Sequence, residues 1–163
     1  MPNGATKVTV MAESPDATRA VGRALGTQLR DGDVVLLQGP LGAGKTVLVK
    51  GIADGLGLPD DITSPTYTIV RAHPGGRLPL THVDLFRLSG PAELDGIDWD
   101  GILARPGVVV VEWPERAHGR LPSTYLLAIV AYHSERVRRI ALRAVGPGLG
   151  AVLAAARPAR EAQ

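Results

Sequence analysis

The chain has 163 residues, of which 45% are hydrophobic and 21% charged, which predicts one globular domain and excludes wholesale disorder. Its formal net charge is only +2, it has no cysteine, and no apolar run approaches the roughly 18 residues of a transmembrane helix. Disulfides, thiol chemistry and an integral membrane protein are therefore excluded. We expect a cytoplasmic protein with one domain over 1–150 and a frayed, Ala- and Arg-rich tail over 151–163.

The first half of the chain alternates short apolar strands with helices, which is typical of a fold built on a parallel sheet. Ser14 precedes Pro15, and this pair predicts a helix N-cap followed by proline at the first helical position. In chain order we predict a strand over 7–11, a helix over 17–30, a strand over 34–38 and a helix over 46–56.

The second half adds two predicted hairpins, one turning at 74–76 and the other at 133–136. Its predicted elements are strands over 67–71 and 78–86, a helix over 91–103, strands over 108–111, 125–132 and 137–145, and a helix over 149–156. The fold class is therefore α/β, with a mostly parallel but mixed central sheet.

The segment from Gly39 to Thr46 reads GPLGAGKT and matches the phosphate-binding pattern G-x-x-x-x-G-K-[ST]. Glycines let successive backbone N–H groups curl around a phosphate, and the helix N-terminus that follows favours an anion. Lys45 reaches the β- and γ-phosphates, and the Thr46 hydroxyl is a ligand for Mg²⁺. We predict that the nucleotide contacts Gly39, Leu41, Gly42, Ala43, Gly44, Lys45, Thr46 and Val47.

Two carboxylates in apolar strands are candidates for holding Mg²⁺ or orienting the attacking water. Glu112 ends a run of four valines, and Asp84 lies in another strand pattern with His82 on the same strand face. We predict both acids at a catalytic site with Lys45, and the residues leave open which acid dominates. Trp113 follows Glu112 and is interpreted as a packing residue or an anchor for a partner protein.

A candidate switch loop follows the phosphate-loop helix. It consists of Ser64, Pro65, Thr66 and Tyr67. A hydroxyl here can reach the γ-phosphate or the metal and order the loop only in the triphosphate state. The alternative interpretation is an ordinary turn at an X-Pro bond, and both stay open on the residues alone.

Other nucleotide and nucleic-acid functions are disfavoured. The Asn-Lys-x-Asp element with which GTPases read guanine is absent, because Asn3 is the only asparagine, so ATP is favoured over GTP. The last predicted hairpin carries Arg136, Arg138, Arg139 and Arg143. Strand alternation divides these arginines between two faces, and aromatic residues make up only 4% of the chain, too few for a base-stacking surface. Arg136 is kept as a candidate contact to the nucleotide.

Taken in order, the motifs resemble the TsaE family (formerly YjeE), small bacterial ATPases of tRNA threonylcarbamoyladenosine biosynthesis. The match rests on GPLGAGKT at 39–46, SPTY at 64–67, HVDLFR at 82–87 and VEWP at 111–114. It covers the chain from about 7 to 145, and the ordered set with the Glu-Trp pair makes it specific. Phe86 departs from the family, which often has tyrosine there, and this removes a hydroxyl.

The resemblance implies a P-loop NTPase fold, a three-layer sandwich around the mixed sheet, with weak hydrolysis of ATP to ADP and phosphate in the presence of Mg²⁺. It also implies association with TsaD and TsaB. That complex threonylcarbamoylates adenosine 37 of ANN-decoding tRNAs, so tRNA is reached through the complex.

The resemblance also assigns roles to residues. Lys45 and the loop amides bind phosphates, and Thr46 and Glu112 bind Mg²⁺. Asp84 assists the metal or the water, and the segment 64–67 forms the switch-like loop. The residues expected to flank the adenine are Ser14, Thr18 and Arg136.

Two other functions on this fold stay open beside the leading hypothesis, a regulatory ATPase that resets a tRNA-modifying complex. A small-molecule kinase needs a lid with arginines, and the short, Pro-rich segment after Glu112 disfavours one. A non-hydrolysing module would use ATP only as a ligand and would release no phosphate. The oligomeric state is not predicted.

Overall fold

The computed structural model describes residues 6–59 and 69–157. The strands in these ranges are β1 (Lys7–Ala12), β2 (Val34–Gln38), β3 (Val70–His73), β4 (Leu80–Asp84), β5 (Val108–Glu112), β6 (Tyr125–Tyr132) and β7 (Arg138–Val145). They form one sheet in the order β1-β7-β6-β2-β5-β4-β3. Among these described strands, β3 and β7 run opposite to the other five, which confirms the predicted mixed, mostly parallel α/β sheet.

The helices in the same ranges are α1 (Pro15–Gln28), α2 (Lys45–Gly55), α3 (Trp99–Leu103) and α4 (Gly150–Ala156), with 3₁₀ helices at Pro91–Ile97 and Pro114–Ala117. The start of α1 is as predicted, because Ser14 Oγ accepts a hydrogen bond from the Ala17 amide at 3.0 Å. None of the helices described is long and apolar enough to cross a membrane.

The single helix predicted over 91–103 is wrong. Asp98 adopts a left-handed conformation (φ 55°, ψ 58°) and divides the segment into a 3₁₀ helix and the short α3. Aspartate is among the residues that tolerate this conformation, and a helix cannot continue through it.

Helices cover the two faces of the sheet unequally. Helices α1, α2 and α4 pack on one face, where they bury residues such as Leu25, Ile52 and Leu153 against strand side chains. On the other face α3 and the two 3₁₀ helices cover mainly β2, β5 and β4, with Trp99 at the centre of a smaller core. The result is the three-layer sandwich expected of a P-loop fold.

Helices α1 and α2 approach unusually closely through glycines. An added Cβ on Gly22 would lie 2.9 Å from Gly51 Cα, and one on Gly26 would lie 2.9 Å from Gly55 Cα. Beside this crossing Arg19 donates hydrogen bonds to both carboxylate oxygens of Asp54, at 2.6 and 2.9 Å. This contact holds the phosphate-loop helix against α1.

The C-terminal segment predicted as a tail begins inside the fold. Residues 150–156 form α4, and its Val152, Leu153 and Ala156 are buried in the larger core. Apolar residues at this spacing share one helix face, which packs near α1 and β7. Residues 158–163 lie outside the described ranges.

Candidate functional site

The phosphate loop joins the end of β2 to the start of α2. Gly39 (φ 153°) and Gly44 (φ 106°) adopt backbone angles that residues with side chains rarely take, and a Cβ on Gly39 would collide with the Val130 carbonyl. Gly44 is the N-cap of α2, so the N–H groups of the first helical turn and the positive end of the helix dipole are directed to the loop. This geometry suits a phosphate.

Lys45 lies in the middle of the site, with its side chain only 6% exposed. Its Nζ donates a hydrogen bond to the Gly39 carbonyl at 2.8 Å and lies 4.0 Å from Glu112 Oε1. The same ammonium lies 4.2 Å from the centroid of the Trp113 ring, within the range of a cation–π contact. The carbonyl, the carboxylate and the ring all stabilise the positive charge next to the phosphate loop.

The two predicted acids lie side by side. Strands β4 and β5 pair in parallel with Asp84 opposite Glu112, so both carboxylates stand at the carboxyl ends of adjacent strands. His82 is fully buried, and its Nε2 donates a hydrogen bond to Glu112 Oε2 at 2.7 Å. The other ring nitrogen, Nδ1, is buried without a hydrogen-bond partner among the described residues. His82 therefore holds one oxygen of Glu112 and leaves the other beside Lys45.

Asp84 is half-buried, and its Oδ1 accepts a hydrogen bond from the Phe86 amide at 2.9 Å. Burial raises the pKa of Asp84 above its ordinary value, and the nearby charge of Glu112 raises the pKa further. The Phe86 amide, His82 and Lys45 act in the opposite direction without cancelling the rise. A second cation at this point would favour the ionised form of Asp84.

The donor set fits Mg²⁺. This ion prefers carboxylate and hydroxyl oxygens, and it is commonly bound by one or two carboxylates together with substrate phosphates. Asp84 and Glu112 supply the carboxylates, and Thr46 supplies a hydroxyl in the first turn of α2. No cluster of three or more His, Cys, Asp or Glu side chains suited to a metal occurs in the part of the chain that the structure describes. Mg²⁺ held here would need further oxygen ligands beside these three residues, and the phosphates of a nucleotide are the kind of group that supplies them.

A pocket of about 490 Å³ opens beside the phosphate loop. It is lined by Glu13, Ser14, Pro15, Thr18, Gly42, Ala43, Gly44, Val47, Glu135, Arg136 and Arg138. The structure thus brings three residues predicted to flank the base, Ser14, Thr18 and Arg136, to the lining of one pocket beside the loop. Ser14 also caps α1. Leu41 is 69% exposed and does not line this pocket.

The contacts of Tyr132 and Arg138 near the phosphate loop were not predicted from the sequence. The Tyr132 hydroxyl donates a hydrogen bond to the Leu41 carbonyl at 3.1 Å and so ties β6 to the phosphate loop. The Arg138 guanidinium lies 4.5 Å from the Tyr132 ring centroid and donates to the carbonyls of Ser134 and Glu135, each at 3.2 Å. These contacts order the turn that brings Arg136 to the pocket. Tyr132 and Val130 are two residues apart, so the sequence places them on the same face of β6. That this face lies next to the phosphate loop becomes known only from the strand order, in which β6 adjoins β2.

Trp113 is a packing residue, as one of its two predicted roles requires, and the other role, an anchor for a partner protein, stays a prediction. It packs against the smaller core and lies beside Phe86, with ring centroids 5.0 Å apart, while its other contact is the Lys45 ammonium. Its φ of 60° is rare for a side chain of this size and turns the chain sharply after Glu112. The predicted switch loop, 64–67, lies outside the described residues.

Comparison with known proteins identifies the family of the chain. Residues 12–140 match the family model described as threonylcarbamoyl adenosine biosynthesis protein TsaE. The tRNA threonylcarbamoyladenosine biosynthesis protein TsaE of Nostoc sp. (strain PCC 7120 / SAG 25.82 / UTEX 2576) is 42% identical over 76% of this chain and 78% of its own. That of Bacillus subtilis (strain 168) is 36% identical over 82% and 83%. The crystal structure of Bacillus subtilis YdiB matches with a TM-score of 0.70 and 33% identity over 86% of each chain. The chain belongs to the TsaE family of threonylcarbamoyladenosine biosynthesis proteins.

Proposed function

We propose that the chain is a Mg²⁺-dependent ATPase that resets the TsaB–TsaD complex during threonylcarbamoylation of adenosine 37 of tRNA in the cytoplasm. The observation that carries the proposal is the placing of Lys45, Asp84 and Glu112 together at the phosphate loop. The adjoining pocket, at about 490 Å³, lies within the usual range of small-molecule sites.

The chain's own residues supply the positioning and the charge that phosphoryl transfer needs. The loop amides and Lys45 bind the phosphates, and Lys45 exchanges its contact with the Gly39 carbonyl for a phosphate oxygen. Thr46, Asp84 and Glu112 would hold Mg²⁺, which neutralises charge on the phosphate oxygens. One of the two carboxylates orients the attacking water. His82 fixes Glu112 so that Oε1 stays on the Lys45 side.

The base is proposed to lie in the pocket between α1 and the turn after β6. Thr18 is buried and sits beside Gly44, while Arg136 lies on the opposite chain segment at the pocket wall. Ser14 and Thr18 on one side and Arg136 on the other would flank the adenine. The site holds ATP and, after cleavage, ADP.

The proposed intrinsic turnover is weak because the site is complete only when a partner is bound. Large exposed hydrophobic side chains border the loop and its acids, namely Leu41, Phe86 and Tyr132, which are 69%, 45% and 52% exposed. A partner seated on them would remove water from Lys45 and the two acids and strengthen their electrostatic action. TsaD and TsaB are the proposed partners, and tRNA is contacted through them.

The test is phosphate release from ATP and Mg²⁺ with and without TsaB and TsaD from the same source. Wild type should release phosphate slowly alone and faster with the complex. Glu112→Ala should abolish the stimulation, whereas Glu115→Ala, an exposed acid three residues away, should not. Phosphate transferred to a metabolite would instead indicate a kinase, and triphosphate-dependent binding without any phosphate release would indicate a non-hydrolysing module.

A further inference from the structure

The smaller helical layer leaves part of the sheet uncovered. It reaches Tyr125 and Leu127 of β6, and no described helix of this layer extends further over β6, β7 and β1. On these strands, side chains such as Val8, Val130 and Ile140 point to the larger core. The alternate side chains therefore point to the open side. We call this surface the open face and define it by Lys7, Met11, Ile129, Arg139, Ala141 and Arg143.

The open face combines apolar and cationic side chains. Met11 on β1 and Ile129 on β6 are 43% and 38% exposed, and they lie on either side of β7, opposite Arg139 and Ala141. Lys7, Arg139 and Arg143 are exposed and form no ion pair with any described residue. The three strands contain no aspartate or glutamate. The face therefore has positive charge with nothing on it to balance that charge.

The strand register places like charges together. Lys7 lies directly opposite Arg143, and Met11 lies opposite Arg139. Like charges directly opposite each other in an antiparallel pair destabilise the sheet. The isolated chain thus keeps an unfavourable pair on a surface that also exposes apolar groups, and an acidic apolar partner would relieve both costs.

We propose that the open face docks an acidic amphipathic helix of a partner protein, which completes the missing part of the third layer. From β6 to β1 the face is about 10 Å wide, two strand spacings, and a helix is about 10–12 Å across. Arg139 and Arg143 are about 13 Å apart along β7, close to the roughly 12 Å between acids eight residues apart on a helix. The helix would place apolar residues on Met11 and Ile129.

Other occupants fit less well. A second copy of the chain would bring the same cations face to face. A nucleic acid would pair its phosphates with the cations, but none of the six residues that define the face is aromatic, so bases would have nothing to stack on. The Met11 and Ile129 side chains would also stay exposed to water or contact polar groups of the nucleic acid. The open face lies on the opposite side of the sheet from the nucleotide pocket, so this inference does not rest on the proposed ATPase function.

The test uses the full chain without nucleotide and a labelled helical peptide of about 18 residues, long enough to be helical, with a leucine stripe flanked by glutamates. A second peptide has lysine in place of each glutamate, and a third probe is a labelled RNA of about 18 nucleotides. Binding is followed by fluorescence anisotropy. The variant is Arg139→Glu with Arg143→Glu. Its matched control is Arg30→Glu with Arg105→Glu, which changes the net charge equally at exposed positions elsewhere. Circular dichroism checks that both fold.

We expect the acidic peptide to bind wild type with a Kd of about 10–100 μM, as befits a small interface. The open-face variant should bind it about fivefold or more weakly and should gain affinity for the lysine peptide, while the control variant should match wild type. Equal loss in the control, or no binding of the acidic peptide up to about 1 mM, would overturn the proposal. RNA binding that the open-face variant loses, without acidic-peptide binding, would overturn it in favour of a nucleic-acid surface.

Discussion

His82 and Glu112 form a buried pair in which the imidazole Nε2 donates to one carboxylate oxygen at 2.7 Å. Because His82 is two residues before Asp84 on β4, the strand that carries one acid also orients the other. The second oxygen of Glu112 is left 4.0 Å from Lys45 Nζ. The orientation of Glu112 beside Lys45 thus depends on a histidine of the neighbouring strand.

Removing the His82 donor should lower turnover more than nucleotide binding. In His82→Leu the Glu112 carboxylate keeps its burial and loses its donor, so we expect kcat to fall by about 10–100-fold, the usual cost of losing a partner that orients a metal ligand. The KM for ATP should change little, since the loop is intact. His82→Gln offers an amide N–H near the former Nε2 and should restore most of the activity. Phosphate release measured across ATP concentrations gives both constants. If the glutamine variant is as impaired as the leucine variant, packing and not hydrogen bonding is the role of His82.

Trp113 should report nucleotide binding by its fluorescence. The Lys45 ammonium lies 4.2 Å from its ring centroid, and a bound phosphate would draw that ammonium away. Titration with ATP and Mg²⁺ should therefore change the tryptophan emission of wild type. Trp113→Phe retains Trp99 as its only tryptophan and is the control. The same change in Trp113→Phe would show that the contact with Lys45 is not what the emission reports.

The ionised Asp84 carboxylate should lower the free energy of unfolding at neutral pH, although the proposed function needs this carboxylate. Its pKa in the folded protein is raised above the ordinary 3.8 by burial. Its contribution to stability is therefore fully present below about pH 3.8 and is lost as the pH rises through the folded-state pKa. Asp84→Asn keeps an oxygen for the Phe86 amide, so we expect a Tm about 2 °C above wild type at pH 7 and a smaller gap near pH 4. Phosphate release should fall.

Thermal melts of Asp84→Asn and wild type between pH 4 and 7 without Mg²⁺ measure this difference. If the Tm of Asp84→Asn lies below that of wild type at pH 7 and equals it at pH 4, the ionised carboxylate stabilises the fold. That result would contradict the predicted direction of the effect on stability.

The α1–α2 crossing should not accept any side chain larger than glycine. A Cβ on Gly22 would lie 2.9 Å from both Gly51 Cα and the Ile52 amide nitrogen, which are backbone atoms that cannot move aside. We expect Gly22→Ala to lower the free energy of unfolding by about 1–3 kcal/mol. Gly150→Ala, where an added Cβ meets nothing within 4 Å, should be neutral or slightly stabilising. Urea unfolding of the two variants compares them directly, and equal stabilities would show that the helices can separate without cost.

The features that a short segment determines were predictable from the sequence. The phosphate loop, the Ser14 cap and the bounds of β2 and β6 follow from local patterns of glycine, proline and apolar residues. The two acids were predictable because Glu112 ends a run of valines and Asp84 lies within another apolar strand pattern. The structure ends β4 at Asp84, and the parallel pairing of β4 with β5 brings the two acids together.

Contacts between distant segments were not predictable in the same way. The hydrogen bond from Tyr132 to Leu41 joins residues 91 positions apart and exists only because β6 adjoins β2. The break at Asp98 depends on one residue accepting a left-handed conformation, and helix periodicity does not reveal this. The glycines of α1 and α2 recur every four residues, a pattern present in the sequence, but their partners become known only once the helices cross. The roles of Ser64 to Tyr67 stay a prediction.

The most direct measurement of the central claim is single-turnover hydrolysis of ATP with labelled γ-phosphate and Mg²⁺, in the presence of TsaB and TsaD. Wild type and Lys50→Ala, a lysine further along α2, should convert bound ATP to ADP and phosphate. Lys45→Ala should lose this conversion, because Lys45 is the cation placed at the loop beside Glu112. Conversion by Lys45→Ala at the wild-type rate, or no conversion by wild type under any condition, would contradict the ATPase mechanism at this site.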